Sequence, residues 1–469
     1  MADPVHTRAG GSPGGVAAGD APWSWRILAA AGFMALLAFV LASAAKERTP
    51  FNPDESRWLH RAYFLTALAD PFGPTWTDRY MTRGQPPLGS YAMGIGLLLQ
   101  GRDLDTNGPW NFAVDAATNA DLGNMPSTGD LAAGRRTSAG LVALTTLALV
   151  AVARTFLSSG WAIAAGGLFA VHPFTIYIGS LAMSDALFGL LIVLAAWAAA
   201  YFARWPSWTR GALLGMLLGL GGATKLSPLV VAIGFSGIAA LALLVQGIRQ
   251  RRLSVKDVAA SPALAIGPVA ALTFVVVYPF LWPDPIGRTR NLIFFRVDEM
   301  ATQAADWPVM AVPNRAEALH RIGVNFVQHF NLTGSLADWA GLQAIGWPLR
   351  ELEVLASLAG VIVMGAMALR AGPTSPRAWA FAVLGGQVLV TILGMRSEFD
   401  RYHLPMALLG VIAAVIALES LARGVRGLVA PLRGKSDSVQ PAQAAITMRT
   451  PATRLGFANG QGRDSACGS

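Results

Sequence analysis

Apolar residues gather into ten long runs separated by polar breaks, at 27–45, 138–157, 161–179, 183–203, 211–224, 226–245, 258–281, 352–369, 378–395 and 403–422. A hydrocarbon core about 30 Å thick takes roughly 20 helical residues, so these runs predict ten membrane-spanning helices. The stretch 211–245 is too long for one ordinary span, and Lys225 interrupts it, which predicts a helical hairpin turning at that lysine. A shorter apolar run, 87–99, predicts a helix lying in the membrane interface. Counting it as a span would reverse the side of every later basic loop. Residues 1–26, rich in Gly, Ala and Pro, read as a disordered cytoplasmic leader; 27–422 form the transmembrane domain, and 423–469 a basic, disordered cytoplasmic tail. Ala42-Ser43-Ala44 resembles a cleavage site, but the apolar run is long and what precedes it is not strongly basic, so an uncleaved anchor is expected. No fixed internal period suggests inverted repeats.

Basic residues then set the orientation. Arg249, Arg251, Arg252 and Lys256 share one short loop and Arg370 and Arg377 another, while the tail adds seven more bases from Arg423 to Arg463. With ten spans all of these fall on the cytoplasmic side. The opposite face receives two long segments, 46–137 and 282–351, and the first carries ten acids beside nine bases. A near-neutral loop of that length has folded structure and a task.

Composition agrees. The 469 residues are 54% hydrophobic and 13% charged, against roughly 25% charged in soluble domains. That excludes a soluble dinucleotide-binding enzyme, a repeat scaffold and a disordered tail protein. The net charge of +9 reports cytoplasmic loops and anionic membrane lipids rather than nucleic acid. The single cysteine, Cys467, forms no internal disulfide, and no paired His or Cys motif suggests zinc.

Several residues on the outer side carry candidate chemistry. Asn52-Pro53-Asp54-Glu55 follows the first span and has the residues of a helix start, with Asn52 as cap and Glu55 at the capping-box position. The same Asp54, just outside a membrane, is placed to act as a general base on an incoming hydroxyl. Asp185 stands at the outer start of the fourth span, as a cap or as part of a site. Lys225 either snorkels or meets a phosphate head group. Arg135, Arg136 and Arg401 stand at outer span entrances, where the positive-inside bias argues against casual arginines. Converging guanidinium groups suit a phosphate ester. His172 lies inside the third span.

These pieces fall in a recognisable order. Asp54-Glu55, Gln85-Pro86-Pro87-Leu88, Arg135-Arg136-Thr137-Ser138, Ser184-Asp185, Thr224-Lys225, Tyr278-Pro279-Phe280-Leu281-Trp282-Pro283 and Arg401-Tyr402-His403-Leu404-Pro405 together resemble family 39 glycosyltransferases. Relatives of that family include the protein O-mannosyltransferases and the aminoarabinose lipid A transferases. The resemblance implies an all-α polytopic membrane protein, a GT-C-like transmembrane helix bundle with a long first extracytoplasmic loop containing interfacial helices.

It further implies transfer of a monosaccharide from a polyprenyl-phosphate donor to a hydroxyl or amine of a lipid, polysaccharide or protein acceptor. Transfer would take place on the extracytoplasmic face of the plasma (inner) membrane, with inversion. Asp54 matches the catalytic base, Glu55 its neighbour and Asp185 the second acid. Lys225 and Arg401, with Arg135 and Arg136, match cations facing the donor phosphate, and Gln85, Pro86, Tyr402 and His403 the substrate-binding loops. Gln85 stands where some relatives carry Lys. No cofactor is required by this chemistry, and a divalent cation is an optional addition. Segment 282–351 is too short for the extra sugar-binding domain of fungal protein mannosyltransferases. The competing expectation is a secondary transporter of a lipid-linked or amphiphilic substrate, with Asp185, Lys225 and His172 as an intramembrane relay.

Overall fold

The computed structural model describes residues 23–250, 254–342 and 346–434, with backbone alone described over 346–349 and at 427 and 429–434. Most of the expected leader (1–22), the loop bases Arg251 and Arg252, and the tail beyond residue 434 lie outside the described residues. Residues up to Leu421 make one compact unit and Ala422–Ser469 a second, of which the described part is helical. The described residues are helices and turns joined by a single isolated β-bridge between Ala311 and Ser397.

Every expected apolar run is helical, but the runs are not equivalent as spans. Helix α1 (Trp25–Ala45) leads into the first outer segment, which folds around α2 (Pro53–His60) and α3 (Leu88–Leu99). There follow α4 (Thr128–Ala153), α5 (Ser159–Val171), α6 (Pro173–Gly179), α7 (Asp185–Arg204), α8 (Trp208–Gly222), α9 (Ser227–Gln250) and α10 (Ile266–Val276). The second outer segment carries α11 (Pro285–Asp306), and α12 (Gly346–Ala371), α13 (Pro376–Gly394) and α14 (Leu404–Gly434) complete the described chain.

Among the described residues seven helices are long and apolar enough to cross a membrane, or eight if the bent pair α5–α6 counts as one. The ten expected spans therefore include two short ones. Helix α8 has 15 residues, about 22 Å of rise against a hydrocarbon thickness of about 30 Å. The run 258–281 is broken by Pro262 and Pro279, each of which starts a separate 3₁₀ turn, leaving 11 residues in α10. Proline forces such breaks because it cannot donate the helical hydrogen bond and its ring meets the preceding turn. A similar break at His172 bends α5 against α6 by 61°, with Pro173 opening the second helix.

The expected hairpin at Lys225 is present, since α8 ends at Gly222 and α9 begins at Ser227. Its short first arm is held by close backbone approach. Gly211, Gly215 and Gly219 recur at intervals of four and so share one face of α8. A methyl group on them would lie 2.6 Å from the Pro262 carbonyl oxygen, 2.5 Å from that of Ile266 and 2.5 Å from that of Ala270. Small residues allow membrane helices to pack this closely where lipid supplies no hydrophobic drive.

Helix α7 is the axis of the bundle: 72% of its apolar window is buried, against 22% for α9 and 17% for α12. Its inner face meets α4, α8 and α13 in a core that includes Phe156, Phe169 and Phe174. Helix α3 is too short to span, and it buries Tyr91, Met93 and Leu97 while exposing Ile95, Leu98 and Leu99.

Substituting Gly215→Ala is expected to destabilise the detergent-solubilised protein by about 1 to 3 kcal/mol through overpacking, read as a lowered midpoint in thermal unfolding. Gly140→Ala, where nothing lies within 4 Å of the added methyl, is the matched control and should leave the midpoint unchanged or slightly raised.

Candidate functional site

The site is assembled at the α7 N-terminus by a capped turn and a buried ion pair. Asn52 accepts a hydrogen bond from the Asp54 amide at 3.0 Å, and Glu55 accepts one from the Asn52 amide at 3.0 Å, so the capping box is complete. Glu55 is fully buried. It also accepts two bonds from the Arg135 guanidinium, at 2.8 and 2.7 Å, and one from the Ala182 amide at 2.8 Å. Arg135 in turn donates to the carbonyls of Lys46, Thr49 and Pro50 at 2.5, 3.0 and 3.2 Å. One ion pair thus joins the end of α1, the start of α2, the third turn of α4 and the strap before α7. Asp54 is left facing the other way.

Helix α4 begins ten residues before the apolar run it was expected to follow, because Ser127 caps it through the Asp130 amide at 3.1 Å. Arg135 and Arg136 therefore lie within the helix rather than at its entrance. Hydropathy does not register a polar opening turn; the Ser127 cap does.

Asp54 meets Arg401, whose guanidinium donates to its carboxylate at 2.5 Å. Asp185 forms an ion pair with Lys225, whose ammonium lies 5.0 Å from the Tyr402 ring centre and 5.3 Å from that of Phe188. Asp185, Lys225 and Arg401 border one cavity of about 200 Å³, lined among others by Trp58, Gln85 and Pro86. Asp54 belongs to a smaller adjoining hollow that shares Trp58, Gly84 and Gln85 with it. Burial is the main influence on the Lys225 ammonium and lowers its pKa below the ordinary lysine value, with the Asp185 carboxylate opposing the shift.

Segment 282–351 supplies a further cation. Arg296 of α11 lines the same cavity, pairs with Glu299 and donates to the Gly84 carbonyl at 2.8 Å. Arg61 donates to the neighbouring Gln85 carbonyl at 2.6 Å, so arginines from both outer segments clamp the Gly84-Gln85 backbone. Glu299 also accepts from the Tyr80 hydroxyl at 2.8 Å, and Tyr80 from Arg57 at 2.8 Å. Arg296 carries no signal in the apolar pattern; its pairing with Glu299 three residues on, within an amphipathic stretch, was the available clue.

Of the residues singled out from the sequence, Asp54, Asp185, Lys225, Arg401, Gln85, Pro86 and Tyr402 border the two hollows. Four do not. Glu55 and Arg135 pair with each other and line neither hollow. Arg136 is directed elsewhere, to the Gln100 side chain at 2.9 Å. His403 is buried against Phe326 and Glu398. The expected relay is also not formed. His172 bonds Glu353 at 2.9 Å through Nε2 and accepts the Phe174 amide through Nδ1, in a different and largely apolar hollow.

No family model and no curated protein matches the sequence. Among solved structures, the chain is similar to the Saccharomyces cerevisiae protein O-mannosyltransferase Pmt1-Pmt2 complex bound to the sugar donor, with 17% identity, a TM-score of 0.39, and coverage of 55% of this chain and 34% of that one. It is also similar to the oligosaccharyltransferase AglB from Archaeoglobus fulgidus in complex with an inhibitory peptide and a dolichol-phosphate. There identity is 13% and the TM-score 0.45, over 90% of this chain and 53% of that one. The chain thus spans between a third and about half the length of these structures.

Removing one partner of a buried ion pair costs about 3 to 5 kcal/mol, because the other charge is left uncompensated. Glu55→Ala and Arg135→Ala are each expected to lose that much stability, read by thermal unfolding in detergent. Arg136→Ala, next in sequence but outside the pair, should lose less than about 1 kcal/mol.

Proposed function

We propose that the chain is a membrane glycosyltransferase that moves a monosaccharide from a polyprenyl-phosphate donor to an acceptor hydroxyl or amine on the extracytoplasmic face. The observation that carries this reading is the convergence of Lys225, Arg296, Arg401 and Asp185 on one cavity, with Asp54 paired to Arg401 from the adjoining hollow. Cations placed there suit the phosphate of a lipid-linked donor whose tail lies in the bilayer. The ordered resemblance from Asp54 to Pro405 points the same way.

In the proposed reaction the acceptor oxygen or nitrogen attacks the anomeric carbon and the bond to the phosphate oxygen breaks, which inverts that carbon. Asp54 takes the acceptor proton. Lys225, Arg401 and Arg296 stabilise the charge that grows on the departing phosphate. The ion pairs give this a sequence: a donor phosphate that engages Arg401 competes with Asp54 for it, which frees the Asp54 carboxylate to act as base only when the donor is present.

Transfer from a radiolabelled polyprenyl-phosphate monosaccharide in vesicles tests the reading, and counterflow of free sugar without transfer would support transport instead. Asp54→Asn keeps the helix start, because the capping box is made by Asn52 and Glu55 and asparagine is nearly the size of aspartate, so the folded variant should bind donor at least as tightly as the parent. Its turnover should fall by roughly 10² or more for want of a base. Near-normal turnover in that variant would remove Asp54 from the chemistry.

The lowered Lys225 pKa gives a pH signature. The ammonium attracts the phosphate below that pKa, and the neutral amine above it does not. Donor affinity, measured by titration calorimetry over a rising pH series, should fall as pH passes through the lowered value. In Lys225→Arg, which stays charged throughout, the affinity should be flat over that range.

A further inference from the structure

We propose that the end of the bundle opposite the candidate active site holds a binding site for the phosphodiester headgroup of an anionic membrane lipid. A cavity of about 360 Å³ opens there, with Arg154, Arg204 and Arg377 in its wall. The three arginines come from three places: the end of α4, the last residue of α7 and the second residue of α13. Arg377 is fixed at the wall by donating to the Thr155 carbonyl at 3.1 Å. Arg154 is buried, with its guanidinium carbon 4.2 Å from the Trp23 ring centre.

The position of this cavity is set by the length of α7. Asp185 opens that 20-residue helix at the candidate active site and Arg204 closes it, a rise of about 30 Å and close to one hydrocarbon thickness. The cavity therefore lies at the other membrane–water boundary. Trp197, Tyr201 and Trp205 line it along one side, with the first two rings stacked at 5.8 Å between centres and both tryptophans substantially exposed. Aromatic side chains with an apolar body and a polar edge favour this depth of a bilayer.

The chemistry of the wall selects the occupant. Forked guanidinium donors match phosphate oxygens. The α13 N-terminus, with Pro376 in its first turn and Ser375 capping the Ala378 amide at 3.1 Å, adds the positive end of a helix dipole. A headgroup held here leaves its acyl chains in the lipid beside the exposed rings, an arrangement a free soluble anion does not need.

Native mass spectrometry of the full chain in detergent, with equal amounts of phosphatidylglycerol and phosphatidylcholine of matched chains, tests this. The parent protein should retain phosphatidylglycerol preferentially. Arg204→Gln and Arg377→Gln should each lower that retention about fivefold, as expected for one basic residue at a charged lipid surface. Retention of phosphatidylcholine should not change, and Arg249→Gln, an exposed charge outside the cavity, should match the parent. Arg204 is exposed, so its variant keeps the experiment decisive if Arg377→Gln folds poorly. Equal retention of the two lipids, or cavity variants that behave like Arg249→Gln, would overturn the proposal. So would displacement of phosphatidylglycerol by millimolar inorganic phosphate, which would mark a site for a free anion.

Discussion

A carboxylate with no access to water must be answered in full by its neighbours, and Glu55 is the residue on which that demand falls. Its two oxygens take the Arg135 fork and the amides of Asn52 and Ala182. Those partners belong to segments far apart in sequence, so satisfying one charge brings the first outer loop, α4 and the approach to α7 to the same point. Asp54 and Asp185, one on each side of that junction, come to border adjoining hollows as a result. The residue that organises the candidate site is thus not one of the groups that reach into it.

The bundle adds a second constraint, that of thickness. Helix α7 carries an acid at one end and a base at the other, and it is buried along most of its length. Helix α8 beside it, and α10 packed on α8, fall below the ordinary span length and meet backbone against backbone through Gly211, Gly215 and Gly219.

Much of this was legible in the chain. The apolar runs located the membrane-length helices among the described residues, Lys225 marked the hairpin, and Asn52-Pro53-Asp54-Glu55 announced the cap, with Asp54 bordering a hollow. Charge type did not reveal direction, however. Arg135 and Arg401 look alike as outer arginines, yet one closes on a buried carboxylate and the other borders the cavity. That difference depends on which turn of a helix each occupies, and the polar opening turns of α4 concealed it. Arg296 was hidden for another reason: α11 is amphipathic and lies in a long loop, so only the folded arrangement of that loop carries it to the Gly84 carbonyl.

Each of the three cations that line the cavity, Lys225, Arg296 and Arg401, already has a carboxylate partner, which makes the cavity an ion exchanger rather than an open positive trap. On the proposed reading, an arriving phosphate would displace a resident carboxylate from its cation instead of shedding mobile counterions into solution. Exchange of this kind draws little from the surrounding salt, so the cavity would discriminate by the shape and donor geometry of the anion that enters, and chloride, a weak competitor for forked hydrogen bonds, would gain little from being abundant.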